Sequence, residues 1–126
     1  GGEEVVWYFD ENRPIYLQLI EEFRLKIAAG ELACGMKLNS VRDLATEIGV
    51  NPNTMQRALS ELEREGLLIT QRTAGRFVTE DKEIIKALRE NMAKEKLDGL
   101  IDGMLQMGYE KTEIIEFVQT YLKELK

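Results

Sequence analysis

The sequence predicts a mainly α-helical fold with one small β-hairpin, and three observations lead to this prediction. Apolar residues recur at a spacing of three and four along most of the chain, which is typical of amphipathic helices. Two of the predicted helices are short and are joined by a glycine-containing turn. Directly after them, residues 67–70 and 77–79 are strand-like, and Thr73-Ala74-Gly75 can form the turn between the two strands.

Composition excludes several classes of function. Histidine is absent from the 126 residues, which excludes Ser-His-Asp catalysis and histidine-ligated zinc. The single cysteine, Cys34, cannot form an internal disulfide and favours a reducing, cytoplasmic location. We expect no enzymatic activity, no metal and no cofactor. We also expect no membrane association, because no apolar run approaches the roughly 18 residues of a spanning helix.

The charge of the chain is unevenly distributed. The net charge of −6 argues against a nucleic-acid-binding protein when the chain is taken as a whole. Residues 36–79, however, contain six Lys or Arg residues and five Asp or Glu residues, so this segment carries a net charge of +1. Because binding depends on the local field, this segment remains a candidate DNA-binding surface.

Three segments are predicted along the chain. Residues 1–10 form an extended segment, because the second half of this stretch is aromatic and β-branched. Residues 11–79 contain the first three helices and the hairpin, and residues 80–126 form a helical tail. Pro14 favours the start of the first helix, and Gly30 favours its end.

The second and third helices are predicted to form a helix-turn-helix. Ser40 can cap the second helix, which Gly49 ends, and Asn51 followed by Pro52 starts the third helix almost at once. Such a motif places its second helix in the DNA major groove, with the N-terminal residues of that helix at the base edges. The first half of the third helix has no acidic residue, as a phosphate-facing end requires. With the hairpin as a wing, residues 11–79 are predicted to be a winged helix-turn-helix.

The tail is predicted to contain two amphipathic helices separated by Gly108. Twenty of the 43 residues from 84 to 126 are apolar or aromatic. Two facing helices cannot cover that much apolar surface, so we expect a partner surface. Gly99 and Gly103 either let two helices approach closely or mark a kink. The residues expected at a homodimer interface are Ile85, Leu88, Leu100, Ile101, Met104, Val118 and Leu122.

Several motifs resemble those of the GntR-type winged-helix repressors. The motifs include Pro14-Ile15-Tyr16-Leu17-Gln18, Gly49-Val50-Asn51-Pro52-Asn53-Thr54 and Gly75-x-Phe77-Val78, and the match extends through nearly all of residues 13–79. The short helical tail resembles the dimerising tail of the YtrA-like subfamily. This resemblance implies a bacterial, homodimeric repressor that binds double-stranded DNA at a palindromic operator. Whether a small-molecule effector exists stays open.

Ten residues are expected to contact DNA, on the basis of the helix-turn-helix pattern and the resemblance. Asn and Gln can pair bidentately with adenine, and Arg with guanine. For two arginines an ion pair within the chain is the alternative. Arg57 can pair with Glu61 one helical turn away. Arg42 can pair with Asp43 or Glu47. The expected DNA-contacting residues are Ser40, Arg42, Asn51, Asn53, Thr54, Gln56, Arg57, Arg72, Gly75 and Arg76.

The same fold also admits a second function. A winged helix can serve as a protein-interaction scaffold without binding DNA, and the net acidity of the chain would suit that function. Binding to duplex DNA at low salt distinguishes the two.

Overall fold

The computed structural model describes residues 7–126 and contains five helices and one β-hairpin in that range. The first six residues of the predicted extended segment lie outside the described residues. The elements are α1 (Ile15–Ala29), α2 (Val41–Ile48), α3 (Pro52–Arg64), β1 (Leu68–Gln71), β2 (Gly75–Val78), α4 (Lys82–Gln106) and α5 (Lys111–Glu124). The predicted mainly α-helical fold with a small wing is confirmed. None of the helices in the described range is both long and apolar enough to cross a membrane.

The chain divides into two compact units, and the division lies between Arg89 and Glu90, inside α4. The predicted start of the tail, at residue 80, lies ten residues before the start of the second unit. The difference has a physical cause. Ile84, Ile85 and Leu88, at the beginning of α4, are partly buried against the core of the first unit. The first turns of α4 therefore belong to the winged helix-turn-helix.

Both ends of α1 are held by hydrogen bonds from side chains. Near its start, the buried Gln18 side chain accepts a hydrogen bond from the Asp10 N–H (2.7 Å) and donates one to the Asp10 carbonyl (2.7 Å). At its end, Gly30 adopts a φ of 82°, as the predicted C-terminal cap requires. The Arg89 guanidinium donates two hydrogen bonds to the Ala28 carbonyl, at 3.1 and 3.0 Å. These contacts satisfy carbonyl groups that the end of a helix leaves without partners.

The predicted caps of α2 and α3 are confirmed. The Ser40 hydroxyl accepts a hydrogen bond from the Asp43 N–H (3.1 Å), and the Asn51 side chain accepts one from the Asn53 N–H (2.8 Å). Gly49 ends α2 with a φ of 85°, a conformation that glycine adopts without steric cost. Because the end of one helix and the start of the next are both satisfied locally, the chain turns sharply between α2 and α3.

The wing is an antiparallel hairpin in which Leu68 lies opposite Val78. On the edge that faces away from β1, β2 also pairs with the segment that precedes α2. The Val78 N–H donates a hydrogen bond to the Met36 carbonyl (2.8 Å), and Lys37 forms a β-bridge with Phe77. The segment before α2 thus acts as a short third strand, which the sequence pattern does not predict because it shows no alternation there.

The core of the first unit is formed mainly by α1, α2, α3 and both strands. The apolar face of α3 is fully buried in it. The main buried residues are Leu19, Ile20, Phe23, Ile27, Leu38, Leu44, Ala45, Met55, Ala58, Leu59, Leu62, Leu67, Leu68 and Val78.

The second unit, residues 90–126, buries little of its apolar surface by itself. Met104 and Ile114 are buried, and the Tyr109 ring packs edge-on against Phe117 with the ring centroids 5.9 Å apart. Most of its other large apolar side chains face solvent. The exposed ones are Leu97, Leu100, Leu105, Met107, Ile115, Phe117, Tyr121, Leu122 and Leu125.

Gly99 and Gly103 lie inside α4, which is assigned as one continuous helix. Apart from its chain neighbours and the backbone of its own helix, a Cβ at either position would meet no heavy atom of the described chain within 4 Å. Of the two alternatives left open for these glycines, close helix approach is therefore not used within the described chain.

Candidate nucleic-acid interface

The N-terminal half of α3 exposes polar side chains opposite its buried face. Met55 and Ala58 are fully buried, whereas Asn53, Gln56 and Arg57 are exposed. Amide and guanidinium groups are the ones that pair bidentately with adenine and guanine. This half of the helix therefore combines a rigid backbone with the side-chain chemistry that base recognition needs.

Three other expected contact residues lie at or near the starts of α2 and α3, and two of them also cap a helix. The Ser40 and Asn51 side chains are exposed and serve as the helix caps described above. Thr54 is partly buried. A capping oxygen accepts a hydrogen bond, so the Ser40 hydroxyl and the Asn51 amide can each still donate to DNA.

Arg42 and Arg72 are exposed cations, and neither forms an ion pair with any residue in the described range. The alternative partners of Arg42 are Asp43 and Glu47. The Glu47 carboxylate instead accepts a hydrogen bond from the Asn39 amide at 3.0 Å. Both arginines therefore keep their donors available for DNA.

Arg57 stacks on an aromatic ring of α1. Its guanidinium carbon lies 3.6 Å from the centroid of the Tyr16 ring. The alternative ion pair with Glu61 is not formed, because the Glu61 carboxylate is bonded to Arg64, with one N–H···O distance of 2.9 Å.

Arg76 is the expected DNA-contacting residue that is held most closely within the chain. Its guanidinium is paired with the Glu63 carboxylate and its side chain is only 16% exposed, so part of its hydrogen-bonding capacity is used there, and its contact with DNA stays a prediction. The Thr70 hydroxyl donates to the same carboxylate. Burial raises the pKa of Glu63, but the hydrogen bonds from Thr70 and Arg76, and the charge of Arg76, together hold that pKa below its ordinary range. Arg76 therefore ties the wing to the C-terminal half of α3.

The acidic end of α3 is compensated by arginines. Two glutamates in the last turns of the helix and a third directly after it each pair with a guanidinium, so their negative charge is locally balanced where it would otherwise repel phosphate. The three ion pairs are Glu61–Arg64, Glu63–Arg76 and Glu65–Arg24.

A groove of about 690 Å³ lies between the turn of the wing and the start of α2, and Lys37 is one of the residues that line it. Lys37 is exposed, and a Cβ at Gly75 would lie 3.2 Å from its Cε atom. Gly75 has a φ of 110°, a backbone conformation that favours glycine there. Sequence reasoning missed Lys37, because only strand pairing brings this residue beside the wing.

In the described range, no group of three or more His, Cys, Asp or Glu side chains is placed so that it could hold a metal ion. Cys34 is exposed, and its thiol donates to the Thr79 carbonyl at 3.2 Å.

The chain is similar to known proteins in sequence and in structure. The profile of the family described as bacterial regulatory proteins, gntR family, matches residues 15–78, just over half of the chain. The chain belongs to the GntR family. The transcriptional repressor YtrA of Bacillus subtilis (strain 168) is 37% identical to it over 116 residues, which cover 91% of this chain and 89% of YtrA.

Two solved structures extend the comparison. A GntR family transcriptional regulator from Listeria monocytogenes is 40% identical, with a TM-score of 0.82, and the match covers 89% of this chain and 98% of that chain. The DNA-binding domain of AraR, solved in complex with operator ORX1, is 26% identical with a TM-score of 0.53. That match covers 63% of this chain and 100% of the AraR domain.

In this GntR-family chain, three of the residues expected at a dimer interface are covered by their own chain. Ile85 and Leu88 are partly buried against the core of the first unit. Met104 is only 8% exposed, so a single chain leaves little of its surface accessible, and its place at a dimer interface stays a prediction.

The other four expected interface residues keep accessible surface. Leu100 is 48% and Leu122 is 58% exposed, and Ile101 and Val118 are partly buried. Sequence reasoning missed Phe117, which is also exposed although its ring contacts Tyr109.

Proposed function

We propose that this GntR-family chain is a sequence-specific, DNA-binding transcriptional repressor that acts as a homodimer on a palindromic operator. The observation that carries the proposal is the exposed N-terminal half of α3, where Asn53, Gln56 and Arg57 face solvent without a carboxylate among them. Two relatives support it, since YtrA is named a repressor and the AraR domain was solved with its operator.

In the proposed complex, α3 lies in the major groove and supplies the base contacts. Asn53 and Gln56 pair with adenine, and Arg57 pairs with guanine. Arg42 contacts a base or a phosphate beside it, and Arg72 and Lys37 contact phosphate at or near the wing. Phosphate contacts set the register of the protein on the duplex, whereas base contacts select the sequence.

A second copy of the chain is the proposed partner of residues 80–126. The second unit leaves nine large apolar side chains exposed, among them Leu100 and Leu122, and burial of such surface against another copy is favourable. A two-fold dimer would bury this surface and hold two copies of α3 at a constant spacing. The spacing would then be matched by two half-sites of one operator.

Repression would follow from occlusion, because a dimer bound over a promoter excludes the polymerase. We infer that the chain works in the cytoplasm, where bacterial DNA lies.

The test is fluorescence anisotropy with the full chain and a labelled duplex that the chain itself selects from a random pool. We expect tight binding to the selected duplex and weak binding to a scrambled duplex of equal composition. If the dimer makes about six phosphate contacts, the slope of log affinity against log salt should be about −5. Failure to enrich any duplex, or a slope near zero, would overturn the proposal in favour of the protein-interaction scaffold.

A further inference from the structure

The contact between Tyr16 and Arg57 joins the recognition helix α3 to α1. Tyr16 is partly buried and packs against the core of the first unit. Arg57 is exposed, and its guanidinium carbon lies 3.6 Å from the Tyr16 ring centroid. A ring anchored in the core thus supports a cation at the surface.

A stacked arginine differs from an ion-paired one in what it leaves available. In a carboxylate pair, as in Arg64 with Glu61, the N–H donors of the guanidinium are used within the protein. Stacking uses the face of the guanidinium plane and leaves the N–H donors around its edge free. The Arg57 N–H donors form no hydrogen bond with any residue in the range 7–126.

Without such a contact, a long exposed side chain such as that of arginine populates many rotamers. An arginine that becomes ordered on binding loses rotamer entropy, and a side chain already held in one orientation loses less. Bidentate pairing needs the guanidinium fork in a defined plane, because both N–H donors must meet two acceptors at once.

We propose that Tyr16 is a positioning residue for DNA recognition: its ring holds the Arg57 guanidinium in the orientation in which its donors meet the duplex. Tyr16 acts through Arg57 and needs no contact with DNA of its own. This inference rests on the proposed function and adds a determinant on α1, outside the helix-turn-helix.

The experiment is a double-mutant cycle with the full chain and the duplex selected by the wild-type protein. Tyr16→Leu removes the ring and should weaken binding roughly three- to tenfold. Tyr16→Phe keeps the ring and should bind as the wild type does, within about twofold. In an Arg57→Ala background, Tyr16→Leu should add less than about a further twofold loss, since contacting residues are not additive.

Leu17→Ala is the matched control, because Leu17 is the next residue on α1 and is exposed. It should leave the affinity unchanged. A second measurement tests the stack directly. In the free protein, the Arg57 side-chain protons should show an upfield ring-current shift in the NMR spectrum, which Tyr16→Leu abolishes and Tyr16→Phe retains.

Each outcome decides the question. Equal losses from Tyr16→Leu with and without Arg57, a loss in Tyr16→Phe as large as in Tyr16→Leu, or the absence of the ring-current shift would overturn the inference. A wild-type chain that binds no duplex would remove the proposed function as well. A wild type that binds, with additive losses, would remove only the role of Tyr16.

Discussion

The two compact units of the chain differ in how far their apolar side chains are buried. In the winged-helix unit, large side chains such as Phe23, Met55 and Leu59 are at most 2% exposed. In the second unit only Met104 and Ile114 are buried, and nine large apolar side chains remain exposed. Burial of apolar surface is the main favourable term in folding and in association. We therefore expect the first unit to fold alone and the second unit to associate with a partner surface.

The contrast also separates two kinds of contribution to DNA binding. The expected DNA-contacting residues, from Ser40 to Arg76, and the added Lys37 all lie in the first unit. The second unit supplies no expected DNA contact, so its contribution to affinity would come from joining two copies of the first. Predictions that act on one unit and spare the other test this division.

The largest expected effect comes from ending the chain at Arg89. Residues up to Arg89 should remain folded, because they keep the core and the two hydrogen bonds from Arg89 to the Ala28 carbonyl. Affinity for the selected duplex should fall by about 10²- to 10⁴-fold, since two linked binding modules bind far more tightly than one. Anisotropy and light scattering on both chains check this. A full chain that is monomeric at micromolar concentration, or a shortened chain that binds equally tightly, would contradict it.

Identical substitutions should act differently in the two units. Leu59→Ala removes a fully buried side chain and should lower the free energy of unfolding by about 2–5 kcal/mol. Leu122→Ala alters a side chain that is 58% exposed, and should change the unfolding of the monomer little while it weakens the dimer. Urea denaturation at low protein concentration and sedimentation equilibrium separate the two effects. If Leu122→Ala left the dimer constant unchanged, the exposed apolar surface would not be the interface.

A third prediction separates DNA contacts from ion-paired arginines. Arg42→Ala should weaken binding to the selected duplex by about 1–3 kcal/mol if Arg42 contacts a base, and should relax the preference at one position. Arg64→Ala is the control, because Arg64 is exposed but paired with Glu61 at the far end of α3. Its effect should be clearly smaller than that of Arg42→Ala, because it removes no proposed DNA contact and only leaves Glu61 without its partner at the far end of the helix. Equal binding by both variants would remove Arg42 from the interface.

The smallest expected effect concerns the carboxylate that ties the wing to α3. The pKa of Glu63 is lower in the folded chain than in the unfolded one, so its contribution to stability is complete above the unfolded pKa of about 4.3 and is lost as pH falls through the lower folded value. Glu63→Gln should cost about 1 kcal/mol at pH 7. That cost should disappear towards pH 3.

Urea denaturation across pH tests this, with Glu116→Gln as the control because Glu116 is an exposed glutamate of the second unit. A cost for Glu63→Gln that is the same at pH 3 and pH 7 would show that the charge of Glu63 does not stabilise the fold.

The boundaries of the helices could be predicted closely because their causes are local. Ser40 and Asn51 act on backbone groups two or three residues away, and Gly49 ends α2 through its own φ. The inward faces follow from the helical repeat, which is also a property of neighbouring residues. The exposure of polar residues at the start of α3 could be predicted for the same reason. Their contacts with DNA stay predictions.

Other features were decided by contacts between residues far apart in the sequence. Lys37 reaches the wing because the segment before α2 pairs with β2, and Arg76 is paired with Glu63, a residue 13 positions away that the sequence pattern does not single out as its partner. Arg57 had a partner one turn away on its own helix, yet it stacks on Tyr16 of another helix.

The sequence by itself therefore determined the helices, the turn between α2 and α3, the wing and the class of side chains at the start of α3, since each depends on backbone and side-chain preferences within a few residues. Only the tertiary structure decided which arginines are free and which are held, and that the first unit extends to Arg89. The physical reason is that a charged or aromatic side chain has several partners of similar energy within reach, and packing brings one of them close.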